Sequence, residues 1–195
     1  MGLYSAIVKR RTIRRFQPKT VPFSILKKCV NAARLSPSAR NWQPLHFVAV
    51  NDKRQVASLN DAVNFGGVVK EKGRKKGEEA KAFIVILLEK EKESEYSKVD
   101  VGIAAEAIAL TALEQGLGSC MMGAIERQKI KGVLGIPDSF EVPLVIALGY
   151  PKEKPRIEKP TADLFYWVDA KGELHVPKRS LEEVLHKNRF GQGGD

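Results

Sequence analysis

The chain has 195 residues, 43% of them hydrophobic and 29% charged, enough for one substantial core and too few for two large independent ones. Thirty-three basic against twenty-three acidic residues give a formal charge of +10 and a pI near 9.6, which favours an anionic partner without naming it. The apolar run Phe83 to Leu88 is strand-sized, so no membrane helix is expected; the N-terminus lacks a signal-type apolar core, and a cytoplasmic location follows as the default. Two cysteines, Cys29 and Cys120, and three scattered histidines exclude a disulfide framework and a zinc site.

In chain order, Val21 to Leu35 carries apolar residues at helical spacing, with Ser24 as a candidate N-cap and Ser36-Pro37-Ser38 as the stop. His46 to Val50 and Ala82 to Leu88 read as strands. Between them, Lys70 to Glu79 is too polar and glycine-broken to face a core and reads as an exposed loop or frayed helix end. Asp100 to Gln115 is almost unrelievedly apolar, so a central helix buried on most sides is expected, ended by Gly116 and Gly118. A short helix from Arg127 to Leu134 leads to a strand at Val142 to Leu148. Lys152 to Pro160 is a stiff, extended connector; Phe165 to Val168 and Leu174 to Val176 form a hairpin within the 152–176 segment. Ser180 caps a last helix to Asn188, with Glu183 at the capping-box position, and 191–195 reads as a disordered tail of this single domain.

Three segments carry chemistry. Lys9-Arg10-Arg11-Thr12-Ile13-Arg14-Arg15-Phe16 sets five cations and a hydroxyl within seven residues, and guanidinium forks match phosphate oxygens; a solvated basic face or a nucleic-acid contact reads the same residues differently. Ser36 to Pro44 packs hydroxyls, amides and fixed backbone into one loop, which suits a heterocycle or an ordinary helix-to-strand turn. Gly116-Leu117-Gly118-Ser119-Cys120-Met121-Met122-Gly123 allows close backbone approach to a planar ligand, though Met121 and Met122 also suit core filling. Its glycine spacing excludes a Rossmann fingerprint. Cys120 has no evident base partner, and no carboxylate pair stands out, so the chemistry belongs to a cofactor.

In this order and spacing the three segments resemble the FMN-dependent nitroreductase family. Arg10 to Phe16 is similar to its Arg-Arg-Ser-x-Arg-x-Phe phosphate motif with Thr12 for serine, Ser36 to Pro44 to its Pro-Ser-x-x-Asn-x-Gln-Pro loop, and Gly116 to Cys120 to its Gly-x-Gly-Ser-Cys stretch. The resemblance implies an α+β sandwich, a mixed, mainly antiparallel sheet flanked by helices, in a homodimer with shared sites. It implies that Arg10, Arg11, Thr12 and Arg14 hold the FMN phosphate and nearby flavin oxygens. Pro37, Ser38, Ala39 and Asn41 would meet the same flavin from the other subunit, and Met121, Met122 and Gly123 would lie against the isoalloxazine. One of Lys178 and Arg179 would supply a late phosphate contact, and Asn64 is a candidate for a further family asparagine.

The activity implied is hydride transfer from NAD(P)H through flavin N5 to a nitroaromatic, quinone or related small-molecule acceptor, with ping-pong kinetics. Reductive dehalogenation and enone reduction are the alternatives of the same fold. A binding module for an anionic ligand or nucleic acid, without turnover, is the alternative of another class. The scarcity of aromatics among the basic residues argues against nucleic acid.

Overall fold

A computed structural model describes residues 2–65, 76–160 and 163–193. These fall into two compact units, one formed by 2–65 and 76–153, the other by 154–160 and 163–193.

The first unit is built on β2 (Ala82–Glu89), whose sequence AFIVILLE is buried almost end to end. Strands alternate their side chains, so an apolar run of this kind must be covered on both faces. Phe83, Val85 and Leu87 point into one core with Val56, Leu59, Ile130 and Val145; Ala82, Ile84 and Ile86 point into another with Leu26, Cys29, Ile108 and Leu148. The helices that supply those residues are α3 (Lys53–Asn60) and α5 (Arg127–Leu134) on one face, α2 (Phe23–Arg34) and α4 (Ser97–Glu114) on the other. β1 (Leu45–Val50), β3 (Gly118–Met122) and β4 (Phe140–Gly149) complete an antiparallel sheet in the order β1-β2-β4-β3. A parallel bridge between Thr12 and Ser119 makes the set mixed, as the resemblance implies.

Several local expectations change. α2 begins at Phe23 after Pro22, so Ser24 lies inside its first turn and is not the cap. α1 (Leu3–Lys9) and α3 carry too short an apolar stripe to be read in advance; Asp52 caps α3 by accepting from the amides of Arg54 and Gln55, both at 3.0 Å. The stretch after α4, read as a glycine turn, turns only at Gly116 (φ +76°) and then runs as β3. Leu117 N–H donates to the carbonyl of Ala112 at 2.8 Å, the bond that closes a helix through a left-handed glycine. α4 is buried along one side, but Val99 and Ile103 are open in the single chain. Of the polar 70–79 segment, Lys70 to Lys75 lie outside the described residues, whereas Glu78 is only 2% exposed. Its carboxylate is drawn inside by Arg15, whose Nε donates at 2.8 Å, and by Lys152 Nζ at 3.1 Å.

In the second unit β5 (Arg156–Glu158), β6 (Trp167–Val168) and β7 (Leu174–Pro177) form a sheet in the order β5-β7-β6. The expected hairpin is β6–β7, and the connector contributes β5, parallel to β7. His175 Nδ1 meets Glu158 at 2.7 Å, its Nε2 lies 3.5 Å from Asp169, and its ring stacks on Trp167. The last helix, α6 (Leu181–Val184), is shorter than expected but starts at the Ser180/Glu183 capping box. Residues 191–193 turn back, with Lys187 N–H donating to Gln192, and 194–195 lie outside the described residues. No helix among the described residues is long and apolar enough to cross a membrane.

Candidate functional site

The basic segment leaves α1 and lies extended along the outer edge of β3. Ile13 N–H donates to the Ser119 carbonyl at 2.9 Å, and further on Gln17 N–H donates to Tyr150 and Lys152 N–H to Arg15. Two glycines permit this approach: a Cβ at Gly118 would lie 2.6 Å from Ile13, and one at Gly149 would lie 2.7 Å from the Phe16 ring. Gly118 therefore serves the packing of the segment, not the approach of a planar ligand.

With Ile13 and Phe16 both buried in one core, the cations before and between them are left to turn to different partners around the sheet edge. Arg10 Nε reaches Glu106 on α4 at 3.0 Å. Arg11 donates to the Arg10 carbonyl, while its Nε is buried without a hydrogen-bond partner among the described residues. Burial, and then the neighbouring Arg10 charge, hold the Arg11 guanidinium below its ordinary pKa. Arg14 Nε donates to the Phe65 carbonyl at 2.8 Å. Arg15 turns inward to Glu78, and this hydrogen bond, opposed by burial, raises its pKa. Glu153 accepts from the amides of Arg14 and Arg15, fixing the backbone between them.

Beside this segment β3 ends at Met122. Met122 is buried in one core and Met121 packs against the other, so their side chains fill space and only their backbone, with exposed Gly123, borders the edge. Gly123 is placed by Arg127, whose Nη2 donates to its carbonyl at 3.3 Å while Nε holds Val142. Asn64 N–H donates to Ala124 at 3.0 Å, and Val63 bridges Ile125. The structure thus brings Arg14, Phe65, Asn64 and the 122–124 backbone together, joining two sequence segments whose register was obscured by the intervening basic stretch. Cys120 is buried and its thiol is pushed up to about 11, which argues against a nucleophile.

The Ser36–Pro44 loop is tied elsewhere. A short 3₁₀ turn, Ala39–Asn41, is held by Asn41 N–H to Ser38 and by Gln43 N–H to the Ser38 hydroxyl at 3.0 Å. Ala39 N–H donates to Asp100 on α4 at 3.0 Å. Asp100 and Glu106, the anchors of this loop and of Arg10, lie six residues apart, roughly 9 Å along the helix and about 120° around it. Lys178 and Arg179 follow β7 in the second unit, both exposed, with Lys178 N–H donating to the Glu158 carbonyl at 3.0 Å.

Asp100, Glu153 and Arg127 were missed in the sequence. Asp100 gave a faint signal, a carboxylate in a helix otherwise apolar on that side; Glu153 and Arg127 gave none, because each acts on backbone brought close by the fold.

The family model described as the nitroreductase family matches residues 7–150. A protein of Archaeoglobus fulgidus named NADH dehydrogenase/NAD(P)H nitroreductase is 33% identical over 156 residues, covering 76% of this chain and 84% of that protein. An iodotyrosine deiodinase of Thermotoga neapolitana is 28% identical, with 79% of this chain and 91% of that protein covered. Among solved structures, an FMN-dependent nitroreductase of Clostridium difficile superposes with a TM-score of 0.69 at 28% identity, covering 96% of this chain and 99% of that one. With three quarters of its length matched by the family model and a relative 33% identical over most of both chains, the chain belongs to the nitroreductase family.

Proposed function

We propose that the protein is an FMN-dependent oxidoreductase that takes a hydride from NADPH or NADH and delivers it to a small nitroaromatic, quinone or related acceptor, by ping-pong kinetics. The observation that carries this reading is Arg11, a half-buried guanidinium whose Nε is out of water with no hydrogen-bond partner among the described residues, next to Arg10. A donor left unpaired beside a like charge is costly, and a phosphate dianion relieves both penalties. Arg10, Arg11, Thr12 and Arg14 would hold that phosphate. The backbone of Met121, Met122 and Gly123 would lie against the ring, with Asn64 beside it. Bound there, FMN would supply the two-electron chemistry at N5. The chain's own part is to bind, orient and present donors: amides at a strand end cost no reorganisation when charge develops nearby.

The reading includes a homodimer. Asp100 anchors the Ser36–Pro44 loop and Glu106 meets Arg10 on different sides of α4, which suits the family arrangement in which Pro37, Ser38, Ala39 and Asn41 would reach the flavin of a second copy. Leu3, Tyr4 and Ile7 on α1 and Val99 and Ile103 on α4 are exposed apolar residues that such a partner would cover.

Titrating flavin-free protein with FMN, followed by flavin fluorescence, tests the site. Binding near one FMN per chain is expected, weakened about 10- to 100-fold by Arg11→Ala and again by Arg14→Ala. Unchanged affinity in the double variant would remove the phosphate assignment. The deiodinase relative supports one alternative, reductive dehalogenation. A flavin-loaded protein that reduces a halotyrosine faster than any nitroaromatic or quinone would replace the main acceptor class.

A further inference from the structure

The loop from Ser38 to Gln43 has an unusual backbone. Arg40, Asn41 and Gln43 all take positive φ, at 52°, 56° and 49°, a region that disfavours side chains. Three such residues within four positions persist only where their surroundings over-determine them. Inside the loop, the Ser38 carbonyl and hydroxyl and the Ala39 carbonyl accept the amides of Asn41, Gln43 and Trp42. These bonds fix its internal shape. Its attachment to the rest of the chain comes from Asp100, which accepts the Ala39 N–H at 3.0 Å.

Asp100 is an odd choice for packing alone. It is 4% exposed on an otherwise apolar stretch of α4 and forms no ion pair among the described residues. A carboxylate taken out of water costs more than a valine or alanine would, unless a specific acceptor is needed. Its place in the first turn of α4, where backbone dipoles favour negative charge, lowers that cost without removing it. Asp100 borders a surface hollow together with Pro37, Ser38, Ala39, Arg40, Val99 and Ile103.

We propose that Asp100 is a positioning residue for flavin binding: it holds the strained Ser38–Asn41 loop in the one pose that meets the ring. This rests on the flavin reading of the site, and it adds a residue of α4 that touches no cofactor itself. Because the loop of one copy serves the flavin of the other, Asp100 would couple the dimer core to cofactor affinity.

The test compares FMN affinity, the visible circular dichroism of bound flavin and apoprotein melting for wild type, Asp100→Asn, Asp100→Ala and Arg14→Ala. Asp100→Ala is expected to raise the FMN dissociation constant about tenfold or more and to change the flavin dichroism. Asp100→Asn keeps an acceptor oxygen and is expected to restore both. In wild-type protein, hydrogen exchange at the Ala39 amide is expected to be slow, a reading that does not depend on any variant folding. Wild-type FMN binding that is lost in Arg14→Ala but untouched in Asp100→Ala would overturn the inference and leave the flavin reading standing. So would fast exchange at Ala39, or an Asp100→Asn protein as impaired as Asp100→Ala. Wild-type protein that holds no FMN would overturn both.

Discussion

Replacing Gly118 by alanine asks whether the basic segment is held in place by its contact with the sheet edge. A methyl group there would lie 2.6 Å from Ile13 Cγ1, 2.7 Å from its Cβ and 2.9 Å from its Cγ2. A new rotamer could move the γ carbons, but Cβ is carried by the backbone, so the chain itself must shift. That shift opposes the Ile13 N–H bond to Ser119. Overpacking costs about 1–3 kcal/mol and a weakened backbone hydrogen bond about 1 kcal/mol more, together about 2–4 kcal/mol. For a chain of this size the melting temperature of the apoprotein should fall by roughly 5–15 °C. FMN affinity should fall with it, since Arg11, Arg14 and Ile13 share one extended segment. Ile13→Ala removes two of the three clashing carbons, so the double variant should be less destabilised than the sum of the singles, by about 1 kcal/mol or more. Gly123→Ala is the control: a Cβ there meets nothing within 4 Å, and stability should stay within about 0.5 kcal/mol. A Gly118→Ala protein that melts with wild type and binds FMN equally would refute the edge-packing argument.

Three other outcomes are expected. Glu78→Gln leaves Arg15 and Lys152 facing a neutral buried group and should cost roughly 2–3 kcal/mol in urea unfolding, the low side of a broken buried pair because both cations reach water; a loss below about 0.5 kcal/mol would mark the triad as incidental. The His175 pKa is raised by its hydrogen bond to Glu158 and further by Asp169, against the opposing effect of burial. The folded value therefore lies above the unfolded one, so this stabilisation is complete below about pH 6.5 and disappears as pH rises through the folded value. An NMR titration should place the His175 midpoint above 6.5 and bring it down in Glu158→Gln; a midpoint at or below the ordinary value contradicts the geometry. Cys29 and Cys120 are both pushed up to about 11, burial being the main cause. A thiol reagent at pH 8 should react with neither in native protein and with both in denaturant; prompt labelling of Cys120 would show that the β3 edge opens.

The sheet was legible because its strands are runs of apolar residues bounded by turn formers. β2, β4 and α5 lie within a residue or two of where their patterns put them. α1 and α3 were not legible, since seven- and eight-residue helices make most of their apolar contacts through one or two positions. β3 was hidden by Gly116 and Gly118, which suggest a turn until Ile13 is seen packing against Gly118. Of the site, the cations were plain in the sequence, but their sorting was not. Arg15 and Arg14 are adjacent and look alike, yet one pairs with buried Glu78 and the other turns to Phe65, a division set by residues some 50 to 60 positions away. Glu78 was misread for the same reason, because its polar neighbours conceal that an internal partner awaits it.

Binding of FMN by this fold, and its use to pass electrons from a nicotinamide to a small acceptor, can be read in one experiment. The most direct measurement is an anaerobic visible spectrum of protein reconstituted with FMN and freed of excess, recorded before and after NADPH, then NADH, then a nitroaromatic or quinone. A bound-flavin spectrum that bleaches with one or both nicotinamides and recovers with the acceptor is expected. Protein that retains no flavin, or whose bound flavin stays oxidised with both donors, would contradict it.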